Sequence, residues 1–315
     1  MNGLQLAKDY FEQFGMPMLK EQFPEQLSFL AAGMCGSGSQ CLGYDDEVSE
    51  DHDFGPGFLL FLPGEEIVDR RTAFLMERAY SRLPKEFRGY RTGLLSPVGG
   101  PRCGVIRIPD FIKEKTGTED GILTLRDWLT VPEQSLLEAV NGEIYFDNYG
   151  AFTRLREQLS YYPEDIRRKK LAGHLLLMAQ SGQYNYRRCL LHGETGAAQL
   201  AVHEFVQSAM HVIFLLNRRY RPFYKWSFRA LRSLPLLSLE DVLFEYLLTS
   251  DNGENAEEKY NVMEGIASDI IDVLTDQALT KAICGDLEKH AYSVNDGISD
   301  ASLRNMHILA GIGPG

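Results

Sequence analysis

The chain has 315 residues, of which 44% are hydrophobic and 24% charged, with a net charge of -12. These values fit a globular protein of about two domains that can bury a core. The acidic balance disfavours duplex nucleic acid, whose binders gain affinity from neutralised phosphates; it suits a magnesium-bound nucleotide or a cationic small molecule.

No apolar run in the sequence approaches the ~20 residues that span a bilayer. The opening MNGLQLAKDYFEQFG lacks the basic-then-apolar order of a signal peptide, so a cytoplasmic protein is expected. Cys35, Cys41, Cys103, Cys189 and Cys284 are odd in number, scattered, and form no C-x-x-C pair. Reduced thiols are therefore expected, without a disulfide framework or structural zinc.

In chain order, residues 3–22 carry a helical period interrupted near Gly15 and Pro17. LSFLAAGMC reads as a buried strand ending in the turn GSGS, and GFLLFL (57–62) as a second strand. Residues 65–83 have helical spacing, with Ile67, Phe74, Leu75 and Ala79 on one side. GVIRI (104–108) and GEIYFD (142–147) are further strands, and Trp128 is a core residue. After residue 150 the pattern is helical: 171–191, 197–216, 237–250 and 255–286. Mixed strands and helices followed by helices alone predict an α+β fold. Its parts are an α/β domain over 1–150, a helical bundle over 151–290, and a flexible tail over 291–315, rich in Gly, Ser and Asp.

The stretch GSGSQCLGYDDEVSEDHDFGPG (36–57) holds the chemistry. Eleven residues separate Ser39 from Asp51, and the acidic pair Asp51-x-Asp53 precedes the second strand. Alternate residues of a strand share a face, so Asp51 and Asp53 can aim both carboxylates at one cation while His52 faces away. Magnesium takes such ligands together with substrate phosphates. In Gly36, Ser37, Gly38 and Ser39 the small residues let backbone N–H groups approach a phosphate, with the Ser39 hydroxyl as a further donor. Gly33 to Ser39 spells G-x-x-x-x-G-S without the lysine of a P-loop, and Cys41 spoils a dinucleotide fingerprint begun at Gly36.

Gly38-Ser39 with Asp51-x-Asp53 resembles the signature of the polymerase-beta-like nucleotidyltransferase superfamily. The strings GYDDEVSEDHDFGPGF, DWLTVPEQSLLEAVNGEIYFDNYGAFTRLREQLSYYPEDI and RRYRPFYKWSFRAL resemble a bacterial family of uncharacterised nucleotidyltransferase-like proteins. The resemblance implies that Asp51 and Asp53 hold Mg2+ or Mn2+ and that Gly38 and Ser39 contact a triphosphate. It implies a helical second domain that closes over the nucleotide. The implied reaction moves a nucleoside monophosphate from an NTP, ATP foremost, to a hydroxyl with release of pyrophosphate. The acceptor is expected to be a small molecule. Alternatives are a protein acceptor, as in antitoxin-like transferases, or an inactive nucleotide-binding module.

Such enzymes carry a third carboxylate on a later strand. Asp147 and Glu143 are the candidates, with Asp110 also able to cap a helix. In RRYRPFYKW, Lys225 can reach a β- or γ-phosphate and Tyr220 or Tyr224 can stack on a base; the competing reading is an interhelical joint. His203 and His211 lack the i, i+4 spacing of a metal pair, and His174 and His192 show no sequence partner. Asp45, Asp46 and Glu47 read as solvated, or as contacts for a cationic acceptor.

Overall fold

The computed structural model describes residues 2–46, 55–92 and 102–312. It divides into two compact units, one formed by 1–123 with 131–160 and the other by 124–130 with 161–315. The boundary lies beyond the expected position at 150, because the first helix after it belongs to the core of the first unit.

In that unit, α1 (Gly3–Tyr10) runs through a π-helical turn, Phe11–Gly15, into α2 (Met16–Gln22). Position 15 within this helix must be glycine, because the ring of Phe58 occupies the space a side chain would need: a Cβ would sit 2.7 Å from Phe58 Cζ. Next come β1 (Ala31–Met34), the short α3 (Ser39–Leu42), β2 (Leu59–Leu62) and α4 (Arg70–Ser81). A hairpin of β3 (Glu86–Phe87) and β4 (Tyr90–Arg91) precedes β5 (Gly104–Arg107) and α5 (Ile108–Thr116). After α6 (Leu125–Thr130), which belongs to the second unit, the chain returns as α7 (Glu133–Val140), β6 (Glu143–Asp147) and α8 (Ala151–Gln158).

The sheet order is β5-β2-β1-β6. β1 is antiparallel to both β2 and β6, and β2 is parallel to β5, a small mixed sheet. β1 and β2 are buried on both faces, which is why they read as unbroken apolar runs. The period-2 alternation still sorts their side chains. Phe58, Leu60 and Leu62 join Leu6, Tyr10 and Met76 on one face. Phe61 stacks on Phe152 of α8 at 4.1 Å on the other, with Phe111 of α5 edge-on. Gly33 is required where β1 meets β6: a Cβ would lie 2.5 Å from Glu143 O, at the point where the register shifts.

α4 departs from its predicted face. Met76 and Ala79 are buried while Phe74 and Leu75 are exposed. The helix turns Met76, which the sequence pattern left out, toward the sheet.

The second unit is helical: α9 (Glu164–Met178), a π-helical segment Ala179–Asn185, α10 (Tyr186–Leu191), α11 (Thr195–Leu216) and α12 (Tyr224–Leu231). It continues with α13 (Glu240–Thr249), α14 (Ala256–Asp276), α15 (Leu287–Asp296) and α16 (Ala301–Asn305). At 22 residues and a mean hydropathy of 1.2, α11 is long and apolar enough to cross a membrane, contrary to the reading of the sequence; 67% of that stretch is buried inside the protein. Its last carbonyls are closed by side chains rather than left open. Arg167 Nε donates to Leu215 O at 2.8 Å and Gln277 Nε2 to Leu216 O at 3.0 Å.

The expected flexible tail is folded through residue 312. Leu287, Ala291 and Val294 of α15 are fully buried. Lys169, on α9, donates to Asn295 Oδ1 and Met306 O, and Asp165 accepts from the amides of Ser299 and Asp300 just before α16. Composition suggested fraying; the i, i+4, i+7 spacing of those apolar residues decides for a packed helix.

Candidate functional site

β1 runs antiparallel to β2 and β6, so its C-terminal end meets their N-terminal ends; β5, parallel to β2, begins there too. Met34 pairs with Glu143, Gly33 with Leu59, and Leu59 with Gly104. The turn Gly36–Ser39 leaves β1 at this end. Gly36 and Gly38 have φ of +110° and +107°, the region open to glycine. The sequence thus needs glycine at both positions to turn the chain from β1 into α3.

The turn is held from several sides. Asn141 Oδ1 accepts from Gly36 N–H at 2.8 Å, and Asn141 Nδ2 donates to Gly36 O at 2.8 Å. Downstream, Gln40 Nε2 donates to Gly3 O and Asp45 Oδ2 accepts from Gly3 N–H, each at 2.7 Å, tying the loop to the start of α1. Asp45 is thus engaged with the backbone rather than simply solvated. The guanidinium of Arg102 packs against Gly38: a Cβ there would lie 2.9 Å from Arg102 Nη1. Among the described residues the amides of Ser37 and Gly38 have no hydrogen-bond partner.

The third-carboxylate candidates separate. Glu143 stands at the same end as the turn, opposite Met34, where its Oε1 meets Lys8 Nζ at 2.5 Å. The Glu143 carboxylate in turn raises the Lys8 pKa through that hydrogen bond and its charge. Asp147 pairs with Ala31 at the opposite end of β1, and its two oxygens accept from the amides of Gly150 and Thr153 at 2.8 and 2.7 Å. It holds the turn into α8. Asp110 lies in the first turn of α5. Asp51, His52, Asp53 and Glu47 lie outside the described residues. Among the described residues, no three His, Cys, Asp or Glu side chains form a group able to hold a metal.

Beneath the turn the thiols are inert. Burial pushes Cys35 up to about 11 and Cys103 up to about 12, and raises Cys41 further. Thiols whose pKa is raised in this way are poor nucleophiles at neutral pH.

Residues 128–227 match a family described as "Domain of unknown function (DUF4037)". The match takes in Trp128, Glu143, Asp147 and Lys225 and stops short of the Gly/Ser turn. No curated protein matches. Among solved structures, a nucleotidyltransferase-like protein from Exiguobacterium sibiricum 255-15 is similar at 15% identity, over 92% of this chain and 81% of that chain, with a TM-score of 0.38.

In the second unit, Lys225 is exposed in the first turn of α12 with its ammonium 5.0 Å from the Trp226 ring centre. Tyr220 is buried, its ring 4.9 Å from Tyr162 and 5.4 Å from Tyr161. Packed in this aromatic cluster it has no face for a base, and that role is withdrawn; Tyr224 is exposed. His174 and His211, which the sequence left unconnected, stack at 4.3 Å with planes 8° apart, because α9 packs along α11. Two open cavities of about 480 and 620 Å³ share Glu264 and Gly285, beside α14 and the π-helical segment.

The sequence reading missed Arg102 and Asn141. Neither has a local motif at the turn; strand pairing delivers Arg102 through β5 and Asn141 through β6. Asn141-Gly142 is, however, a turn signal ahead of a strand.

Proposed function

We propose that the end of the sheet at Gly36–Ser39 binds the triphosphate of a nucleotide and transfers the nucleoside monophosphate to a hydroxyl, releasing pyrophosphate. The observation that carries this reading is the joining of a glycine-formed turn, whose Ser37 and Gly38 amides lack partners among the described residues, to the Arg102 guanidinium packed on Gly38. Bare backbone plus a guanidinium is a phosphate-recognising pair.

Glu143 is the third carboxylate of this reading, since it shares the end of the sheet with the turn and Asp147 does not. Lys8 Nζ donates to its Oε1 and so orients the carboxylate, as a base that accepts the acceptor's hydroxyl proton requires. Asp51 and Asp53 are assigned by sequence as ligands of Mg2+ or Mn2+, ions that take oxygen ligands. The ion supplies charge neutralisation on the phosphates. Ser39 contributes its hydroxyl at the start of α3. ATP as donor and a hydroxyl-bearing small molecule as acceptor complete the proposal.

The test is pyrophosphate release with each of the four NTPs and a library of hydroxylated acceptors, with and without Mg2+. Metal-dependent release that requires Asp51 and Arg102 supports the reading. Release that survives Asp51→Asn, or no metal-dependent nucleotide binding by the unsubstituted protein, overturns it.

A further inference from the structure

Asn141 touches the turn on both sides of one Cα. Gly36 N–H belongs to the peptide before that Cα and Gly36 O to the peptide after it, and the Asn141 amide bonds both at 2.8 Å. The side chain therefore fixes φ and ψ of Gly36 together, at a φ of +110° that other residues avoid.

Two consequences follow from peptide planarity. Gly36 N–H is consumed and cannot receive a phosphate. In a trans peptide the C=O and the next N–H point in opposite directions. With Gly36 O turned toward Asn141, Ser37 N–H is aimed away from it, and that N–H has no partner among the described residues.

Asn141 is itself held on three sides. Its N–H closes the last turn of α7 on Leu137 O at 2.8 Å. Its carbonyl and that of Val140 each accept from Arg156 Nη2 at 2.8 Å, and Arg156 in turn lies over the Phe152 ring. The next residue must be glycine: a Cβ on Gly142 would sit 2.0 Å from Met34 O, at a φ of +70°. Such a side chain, on a backbone held by α7 and by the Arg156 side chain of α8, acts on the turn as a fixed template.

We infer that Asn141 is a positioning residue that aims the Ser37 N–H at the bound phosphate, and that the donors of the turn begin at Ser37, with Gly36 serving as the clamped pivot. The inference rests on the phosphate-binding reading of the same turn.

Inorganic triphosphate with Mg2+ is the probe, titrated calorimetrically into the full chain, with a thermal melt on each sample. Asn141→Ala is expected to weaken binding at least tenfold. Asn141→Asp is expected to bind weakly at pH 8, where its carboxylate opposes Gly36 O, and to recover toward the unsubstituted protein at pH 5. A neutral carboxyl again offers one acceptor and one donor, and facing a carbonyl oxygen favours that protonated form. Each comparison is made with the unsubstituted protein at the same pH. A purely structural role predicts lower melting temperatures with triphosphate affinity unchanged within twofold and no pH-dependent recovery; that result overturns the inference. Should Asn141→Ala not fold, the pH response of Asn141→Asp decides. Absence of triphosphate binding by the unsubstituted protein overturns the phosphate-binding reading itself, and this inference with it.

Discussion

Lys8 Nζ meets Glu143 Oε1 at 2.5 Å, joining α1 to the first residue of β6 beside the Gly36–Ser39 turn. The contact spans 135 positions of the chain. Glu143 thus stands at the end of the sheet that carries the turn, while Asp147 at the other end accepts from the amides that lead into α8.

That division makes a paired prediction. Glu143→Gln is expected to lower pyrophosphate release by about 10²–10⁴-fold, the usual worth of a general base. Its stability should change little, because solvent screens an ion pair at this exposure. Asp147→Asn should do the reverse. Its carboxylate accepts two backbone amides at the entry to α8, and losing such a cap costs about 0.5–2 kcal/mol. Turnover by the folded protein should persist. Thermal melts beside pyrophosphate assays on both variants check this; loss of turnover in Asp147→Asn alone would reverse the assignment.

Asp51→Asn and Asp53→Asn are each expected to abolish metal-dependent turnover without lowering the melting temperature. In the absence of the ion, two carboxylates one residue apart repel, so removing one charge leaves the apo protein as stable or more so. Calorimetry with Mg-ATP beside a thermal melt of the metal-free protein reads both effects. Nucleotide and metal affinity equal to that of the unsubstituted protein would remove the pair from the site.

How much of this was legible in the sequence depends on the range of the interaction. β1, β2, β5 and β6 were visible because each is a short apolar run bounded by turn residues. The Gly/Ser turn was visible because Gly36 and Gly38 are local conformational requirements. Arg102 and Asn141 were not, since only strand pairing brings them to Gly38 and Gly36. Composition misled at the C-terminus, where the burial of Leu287, Ala291 and Val294 outweighs the surrounding Gly, Ser and Asp. Helical spacing misled on α4, where Phe74 and Leu75 face solvent while Met76 is buried. The boundary expected at 150 fell short because Phe152 stacks on Phe61 and keeps α8 in the first unit.

The stacked histidines predict a pH dependence in the acid range. Burial holds the His174 pKa well below its ordinary value, and the nearby His211, Lys170 and Arg221 add to the effect. The native state therefore keeps His174 neutral where the unfolded chain would protonate it. Its contribution to stability is complete above the unfolded pKa of about 6.5 and is lost as pH falls below that value toward the folded pKa. Urea unfolding at pH 8, 6.5 and 5 should show stability declining on the acid side. His174→Phe retains a ring against His211 and should flatten that decline; an unchanged slope would assign it to other groups.

Glu240 predicts a slope of opposite sign. It is 6% exposed at the start of α13, and burial, then the charge of Asp269 and a hydrogen bond to it, raise its pKa from 4.5 to about 7. Here the native state binds the proton more tightly than the unfolded chain. Stability is fully present below the unfolded pKa and is lost as pH rises through the folded value of about 7. Above that pH the carboxylate is ionised beside Asp269 with its Oε2 atom buried and lacking a hydrogen-bond partner among the described residues. Glu240→Gln keeps the shape and the capacity to donate to Asp269 without the ionisation. It is expected to raise the melting temperature at pH 8 and leave it nearly unchanged at pH 5, since at pH 5 both side chains are neutral donors. A substitution that lowered stability equally at both pH values would show that Glu240 acts through packing alone, with no proton held between α13 and α14.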